Sequence, residues 1–364
     1  MNAESTTPLD QRRPGRGAGS NAVGRYERLQ RSYDGEAVVV SAEEEPSVLR
    51  TQTSIERPRR AITYNRSPDL PFDRSINPYR GCEHGCIYCF ARPSHAWLGL
   101  SAGLDFETRL VARPEMPQVL ARELRHPAYL PATLAIGTNT DPYQPTEKEH
   151  GVMRACLEVL RDFRHPVAIV TKGTLIERDI DILSDMARDR LVRVGISVTT
   201  LDAGLARRME PRAPAPARRL RVIRALSDAG IEVRVMASPL VPALSDHELE
   251  AILQAGRDAG AVAASWIMLR LPLEVAPLFR EWLNEHYPDR AARVMSHVRA
   301  MHGGKDYDAK WGQRMRGTGP YAALVARRFA RAAARLGLDA PLPPLRTDLF
   351  RPPARAGDQL SLFG

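Results

Sequence analysis

Four cysteines in 364 residues are too few for the disulfide framework of a secreted protein. No run of 18 or more apolar residues occurs, so no membrane-spanning helix is expected. The first twenty residues are polar and lack the apolar core of a secretory signal, which makes a reducing cytoplasm the expected location. Lysine is nearly missing: only Lys148, Lys172, Lys305 and Lys310 occur, leaving 48 of the 52 basic residues as arginine. The net charge of +9 and pI near 9.7 permit a polyanionic partner. An arginine, alanine and proline bias of this kind also follows from a GC-rich coding sequence, so charge alone does not name that partner.

Three of the four cysteines fall within eight residues, at Cys82, Cys86 and Cys89 in Gly-Cys-Glu-His-Gly-Cys-Ile-Tyr-Cys-Phe. The spacing C-x3-C-x2-C places three soft thiolates on one short loop, a donor set that selects iron–sulfur clusters, zinc or cuprous copper. A cubane cluster normally takes four thiolates. Three leave one iron open, and an open position marks catalytic rather than structural metal sites. The competing reading is a zinc knuckle completed by His84 or His95.

This run resembles the cluster loop of the radical S-adenosylmethionine (SAM) superfamily, C-x3-C-x-aromatic-C, with Tyr88 at the aromatic place. The resemblance implies a 4Fe–4S cluster on Cys82, Cys86 and Cys89 whose open iron chelates SAM. It implies reductive cleavage of SAM to a 5′-deoxyadenosyl radical, with Tyr88 beside the adenine. It also implies a flavodoxin- or ferredoxin-type electron donor.

Short apolar runs alternate with amphipathic stretches from about residue 75 to 300. Strands are predicted at 75–79, 133–136, 167–171, 192–198, 232–237 and 264–269. Helices are predicted at 116–125, 147–162, 177–189, 217–229 and 246–258. This order argues for an α/β fold of parallel strands with helical crossovers. Six such units suit the partial (β/α)6 TIM-type barrel of radical SAM enzymes; a doubly wound open sheet is the alternative. Residues 1–60 read as a largely disordered arm, 61–303 as the barrel core, and 304–340 as a helical extension. Residues 341–364 read as a flexible linker with a terminal motif.

The candidate site residues fall at the C-terminal ends of predicted strands, where barrel loops converge. Strand two opens into Gly137-Thr138-Asn139-Thr140-Asp141, where glycine allows a close approach to the backbone. The competing reading there is a capped turn, with Thr146 as helix cap. Strand three ends at Lys172 and strand four carries Ser197. The loop resembles that of the spore-photoproduct-lyase-like branch, which implies that residues 137–141, Lys172 and Ser197 contribute to SAM binding. Arg218 and Arg270 are further candidates, left level by the sequence. Cys156 lies on a helical apolar face and reads as a buried structural thiol. Two features depart from the lyase pattern: residues 133–147 hold no cysteine to return a hydrogen atom, and Phe90 follows the third cluster cysteine in place of a tyrosine.

The tail Gln359-Leu360-Ser361-Leu362-Phe363 resembles the bacterial sliding-clamp-binding motif, Q-L-(S/D)-L-F. In such peptides glutamine makes hydrogen bonds while leucine and phenylalanine fill apolar pockets. Clamp recruitment together with the basic balance favours DNA, or a DNA lesion, as substrate. The alternatives are the same radical chemistry on RNA, protein or a small molecule, and a non-catalytic, clamp-associated metal-binding accessory.

Overall fold

The computed structural model describes residues 15–26 and 49–354. Among the described residues, ten strands and eleven α-helices occur in chain order: β1 (Gln52–Ile55), β2 (Thr63–Tyr64), β3 (Arg74–Ile76), β4 (Tyr79–Arg80), α1 (Asp105–Thr108), β5 (Arg109–Ala112), α2 (Met116–Leu124), β6 (Leu134–Ile136), α3 (Glu147–His150), α4 (Val152–Asp162), β7 (Val167–Thr171), α5 (Ile180–Arg188), β8 (Val192–Ser197), α6 (Ala203–Met209), α7 (Pro216–Asp228), β9 (Val233–Leu240), α8 (Leu249–Asp258), β10 (Ala263–Met268), α9 (Val275–His286), α10 (Pro288–Met301) and α11 (Gly319–Leu336).

The main sheet runs β10-β9-β8-β7-β6-β3-β2. Strands β3, β6, β7, β8, β9 and β10 are mutually parallel, and only the edge strand β2 is antiparallel. Six parallel neighbours that follow sequence order without a reversal form a partial (β/α)6 barrel. A doubly wound sheet would need a switch in strand order, which is absent from this sheet. The strands are valine- and isoleucine-rich because both faces are covered: α2, α4, α5, α7 and α8 supply Leu120, Leu157, Leu183, Ile223 and Leu253 to the core from one side.

Several predicted elements differ in detail. The first strand stops at Ile76 because Pro78 has no N–H to extend the ladder; Tyr79–Arg80 joins a small separate sheet, β1-β5-β4. The helix expected over 147–162 is two helices, interrupted by Gly151 at φ 62°. Thr146 does not cap the first of them; its hydroxyl lies 3.2 Å from that of Thr53.

Two pieces of the stretch read as a disordered arm are packed. Residues 49–60 supply β1, which pairs in parallel with β5. Residues 15–22 run along the cysteine loop: the backbone N–H groups of Gly17 and Ala18 donate to Glu107, at 2.9 and 2.8 Å, and Ser20 donates to Glu281 at 2.7 Å. Polar composition suggested a solvated chain, but these polar groups are satisfied by the buried Glu107 and the half-buried Glu281. Part of the expected linker is docked as well. Arg351 N–H donates to the Phe163 carbonyl, and Phe350 packs against Tyr129, Phe163 and His165. The tail motif, Gln359, Leu360, Leu362 and Phe363, lies outside the described residues. Among the described residues, no helix is long and apolar enough to cross a membrane.

Candidate active site

The cysteine loop follows β4 at the C-terminal edge of the main sheet. Cys82 and Cys86 are buried, Cys89 is half-buried, and all three thiols are free. Its bends require left-handed backbone at Gly81 (φ 73°) and Gly85 (φ 64°). A Cβ at Gly81 would sit 2.7 Å from the Leu110 side chain. A buried ion pair then fixes the loop from below. Arg92 donates from Nε to the Cys86 carbonyl at 2.9 Å and from Nη2 to the Gly85 carbonyl at 3.1 Å. Its Nη2 also meets Glu107 at 2.5 Å. With neither side chain exposed, the pair is held by a full set of hydrogen bonds rather than by charge alone.

The loop after β6 is tied to the cysteine loop at two points. Gln144 accepts from the Glu83 N–H at 2.9 Å and donates to the Gly81 carbonyl at 3.1 Å. Asp141 lies 3.3 Å from His84 Nδ1 and accepts from the Thr171 hydroxyl at 2.6 Å and the Lys172 N–H at 2.8 Å. Burial would raise the Asp141 carboxyl, yet His84 and these donors hold it well below the usual carboxylate range. Asp141 is therefore engaged in joining three loops. Gly137 is also structural: a Cβ there would lie 1.9 Å from the Val170 carbonyl oxygen on β7, so the close approach is made by a neighbouring strand. Thr140 donates to the Tyr79 carbonyl at 3.1 Å, and the Asn139 N–H donates to Asn77. The side chains of Thr138 and Asn139 are half-buried and form no hydrogen bonds among the described residues.

Lys172 projects from the end of β7 with Nζ 5.7 Å from the centre of the Tyr88 ring. Burial disfavours its charge, but Cys86, Glu210 and Asp141 outweigh that effect and keep the ammonium above its ordinary value. Ser197 ends β8, buried, with its carbonyl accepting from Arg219 Nη1 at 3.1 Å. Beneath Tyr88 lies a cluster that sequence reasoning missed. Glu210 accepts from the Tyr88 hydroxyl, from Thr199 at 2.7 Å, and from Arg219. Burial would raise its pKa; Arg219 and Lys172 instead depress it to about 2. Glu210 stands in Met-Glu-Pro-Arg-Ala-Pro, where a carboxylate before proline reads as an exposed turn. No local signal in the sequence marks it.

The residues fit a cluster better than a single ion. Among the described residues, no three His, Cys, Asp or Glu side chains are placed to hold one metal ion. His84 Nδ1 faces Asp141 and His95 Nε2 lies 2.9 Å from the Arg109 carbonyl, and neither ring is grouped with the cysteines among the described residues. In a cubane each thiolate takes a different iron, so the three sulfurs need not converge on one point. Burial pushes the Cys86 thiol up to about 12 and the Cys82 thiol well above its usual value. Thiols in so dry a loop ionise only against a strongly cationic centre. Cys156 is buried in α4 within the apolar core, away from this loop.

The site is thus a C-x3-C-x2-C loop at the C-terminal edge of a parallel partial barrel. Residues 76–255 match the radical SAM superfamily, and the chain belongs to that superfamily. An uncharacterized protein of Mycobacterium tuberculosis is 38% identical over 226 residues, covering 62% of this chain and 66% of that relative. An uncharacterized protein of Methanocaldococcus jannaschii is 24% identical over 214 residues, or 59% of this chain and 76% of that one. Among solved structures, spore photoproduct lyase complexed with dinucleoside spore photoproduct superposes with a TM-score of 0.56 at 12% identity. The match covers 78% of this chain and 79% of the lyase. A mutant of that lyase with bound AdoMet and dinucleoside spore photoproduct gives a TM-score of 0.53 at the same identity. At such identity the likeness establishes the shared fold.

Proposed function

We propose that this chain is a radical SAM enzyme acting on DNA, with Cys82, Cys86 and Cys89 holding a 4Fe–4S cluster. The observation that carries this reading is the buried loop of three free thiols, clamped by Arg92 and Glu107 and faced by Lys172. When bound, the cluster supplies the electron that splits the SAM sulfonium and releases a 5′-deoxyadenosyl radical. The chain's own residues then bind and orient. Lys172, fixed over Tyr88, offers a cation to the SAM carboxylate. Tyr88, anchored through Glu210, presents a ring face to the adenine. Ser197, Thr138 and Asn139 have side chains without partners among the described residues, and they supply polar contacts to the rest of SAM. Gly137, Thr140 and Asp141 shape the seat by holding its loops together. The electron donor is a flavodoxin or ferredoxin.

DNA is favoured over other substrates by three supports. The chain is strongly basic. The same fold in spore photoproduct lyase holds a dinucleoside photoproduct. The terminal Gln359–Phe363 motif suits recruitment by a sliding clamp. The lyase's hydrogen-return step is not carried over, because no cysteine stands in the β6 loop. Anaerobically reconstituted protein should contain about four iron and four sulfide per chain and release 5′-deoxyadenosine from SAM on reduction. Cys86→Ala should abolish both. Zinc without sulfide, and no SAM cleavage, would sink the enzyme reading and leave a clamp-associated accessory.

A further inference from the structure

We propose that Arg270, with Tyr307, His302 and Phe90, forms a seat for a backbone phosphate of a single nucleic-acid strand at the mouth of the barrel. This rests on the DNA reading above and names residues that would hold the strand. Arg270 lies two residues beyond β10, on the same strand edge as the cysteine loop. Its guanidinium stands 4.7 Å from the ring centre of Phe90, the residue directly after Cys89, and 5.9 Å from that of Tyr307.

Its polar partners are poor. Nη1 meets the Met315 sulfur and Nη2 the Tyr307 hydroxyl, each at 3.3 Å, while Nε is buried without any partner. Among the described residues no carboxylate pairs with it. Asp69 senses its charge but is engaged by Arg314 at 2.6 Å and by the Gly312 N–H at 2.6 Å. The other arginine that the sequence left as a candidate, Arg218, is paired with Glu177 at 2.5 Å. A guanidinium partly removed from water, with no carboxylate paired to it, is an unfavourable arrangement until an anion arrives.

A second, independent observation lies alongside. His302 is 3% exposed, and no side chain partners its ring nitrogens, with the Leu269 carbonyl close by as an acceptor. Its ring centre is 5.8 Å from that of Tyr307. A neutral imidazole has one N–H to give, here toward the Leu269 carbonyl, so tyrosine and arginine leave donors unused within one group of touching rings.

The surroundings select a nucleic acid among anions. Between α10 and α11, the loop that carries Tyr307 and Met315 also carries Lys305 and Lys310, half of the chain's lysines, exposed and without ion pairs among the described residues. Trp311 in that loop is 58% exposed and Phe90 is 45% exposed. Cations tracking a backbone, interleaved with aromatic faces for bases, are how single strands are held.

The test is fluorescence anisotropy of the reconstituted full chain with labelled oligothymidylate across a salt series. Arg270→Gln should weaken binding roughly tenfold and flatten the slope of log affinity against log salt by about 0.7, one phosphate contact on a single strand. Arg270→Lys should keep the slope while losing affinity, because the charge remains and the planar fork is gone. Phe90→Ala, at an exposed ring, should weaken binding roughly tenfold with the slope unchanged, the mark of lost stacking. These last two variants carry the test if Arg270→Gln fails to fold. Wild-type affinity and slope in Arg270→Gln would overturn the seat while leaving the DNA reading intact. No binding by the wild-type chain would overturn both. Equal binding of polyglutamate, lost in the same variants, would overturn the nucleic-acid assignment.

Discussion

Tyr88 donates its phenolic hydrogen to Glu210, and that carboxylate is itself locked by Arg219 and by Thr199 at 2.7 Å. The aromatic residue of the cysteine loop is therefore positioned by the residue just past α6, more than a hundred residues away in sequence. Since Lys172 rests over the same ring, one buried carboxylate sets the height of both side chains that face SAM in the proposed seat.

Replacing Glu210 by glutamine should be costly for a specific reason. Arg219 is 1% exposed and would be left as a buried cation without its counter-ion. Breaking one side of such a pair costs about 3–5 kcal/mol, whereas replacing both members by apolar residues is often near neutral. Glu210→Gln should lower the unfolding midpoint steeply, and Glu210→Leu combined with Arg219→Met should recover much of it. Thermal unfolding of the wild type, Glu210→Gln, Glu210→Leu, Arg219→Met and the double variant checks this. If the double variant is as unstable as the sum of its parts, the pair is not acting as a unit. Even when refolded and loaded with iron, the double variant should bind SAM more weakly, because Tyr88 has lost its anchor.

Lys172→Met removes the cation that reaches over Tyr88 from the β7 edge. Loss of a charge-assisted hydrogen bond of about 1.5–3 kcal/mol should weaken SAM affinity by roughly ten- to a hundredfold. Equilibrium binding to the reconstituted protein measures it, with iron content as the check that the cysteine loop is intact. Unchanged affinity would move Lys172 from ligand contact to a purely structural role.

The barrel was legible in the sequence because its strands are buried on both faces and its helices are amphipathic. The two periods separate the elements cleanly, and β7, at 167–171, is placed where its apolar run predicts. The cysteine loop was legible because thiols are scarce and their spacing carries chemistry. What holds that loop was not legible. Arg92 and Glu107 look like surface charges in a chain that is 26% charged, and only their burial reveals the clamp. Residues 15–22 read as solvated for the same reason: their polar groups find partners far away in sequence, such as Glu281. Long-range pairing of polar groups leaves no local period to read.

At Gly137 and Gly173 the space that a side chain would take is filled by protein. A Cβ at Gly137 would meet the Val170 oxygen at 1.9 Å, and one at Gly173 would meet the Tyr143 oxygen at 2.4 Å. Gly137 also has φ 87°, which a side chain rarely tolerates. Gly137→Ala and Gly173→Ala should therefore destabilise the whole fold by about 1–3 kcal/mol each. Denaturant unfolding of the two variants reads this directly. Native stability with selectively reduced SAM binding would restore the ligand-approach reading.

His165 links the barrel to the chain that follows α11 and makes that link sensitive to acid. The ring is fully buried. Its Nδ1–H donates to the Pro166 carbonyl at 3.0 Å, its Nε2 accepts from the Tyr129 hydroxyl at 2.7 Å, and Phe350 packs edge-on at 5.5 Å. Burial lowers its pKa from 6.5 to about 4. The unfolded chain thus binds the extra proton between pH 6.5 and 4 while the native state refuses it. Stability from this group is complete above pH 6.5 and falls as pH drops toward 4, by roughly 3 kcal/mol in all. His165→Asn should be less stable than wild type at pH 7, yet its unfolding free energy should decline less steeply from pH 6.5 to 4.5. A residual slope is expected from His95, which burial also lowers to about 4. Parallel slopes in the two proteins would show that His165 does not stay neutral in the fold. Amide exchange at 346–351 should quicken over the same interval in wild type, because a protonated Nε2 can no longer accept from Tyr129, and the Tyr129–His165 platform that seats Phe350 loosens.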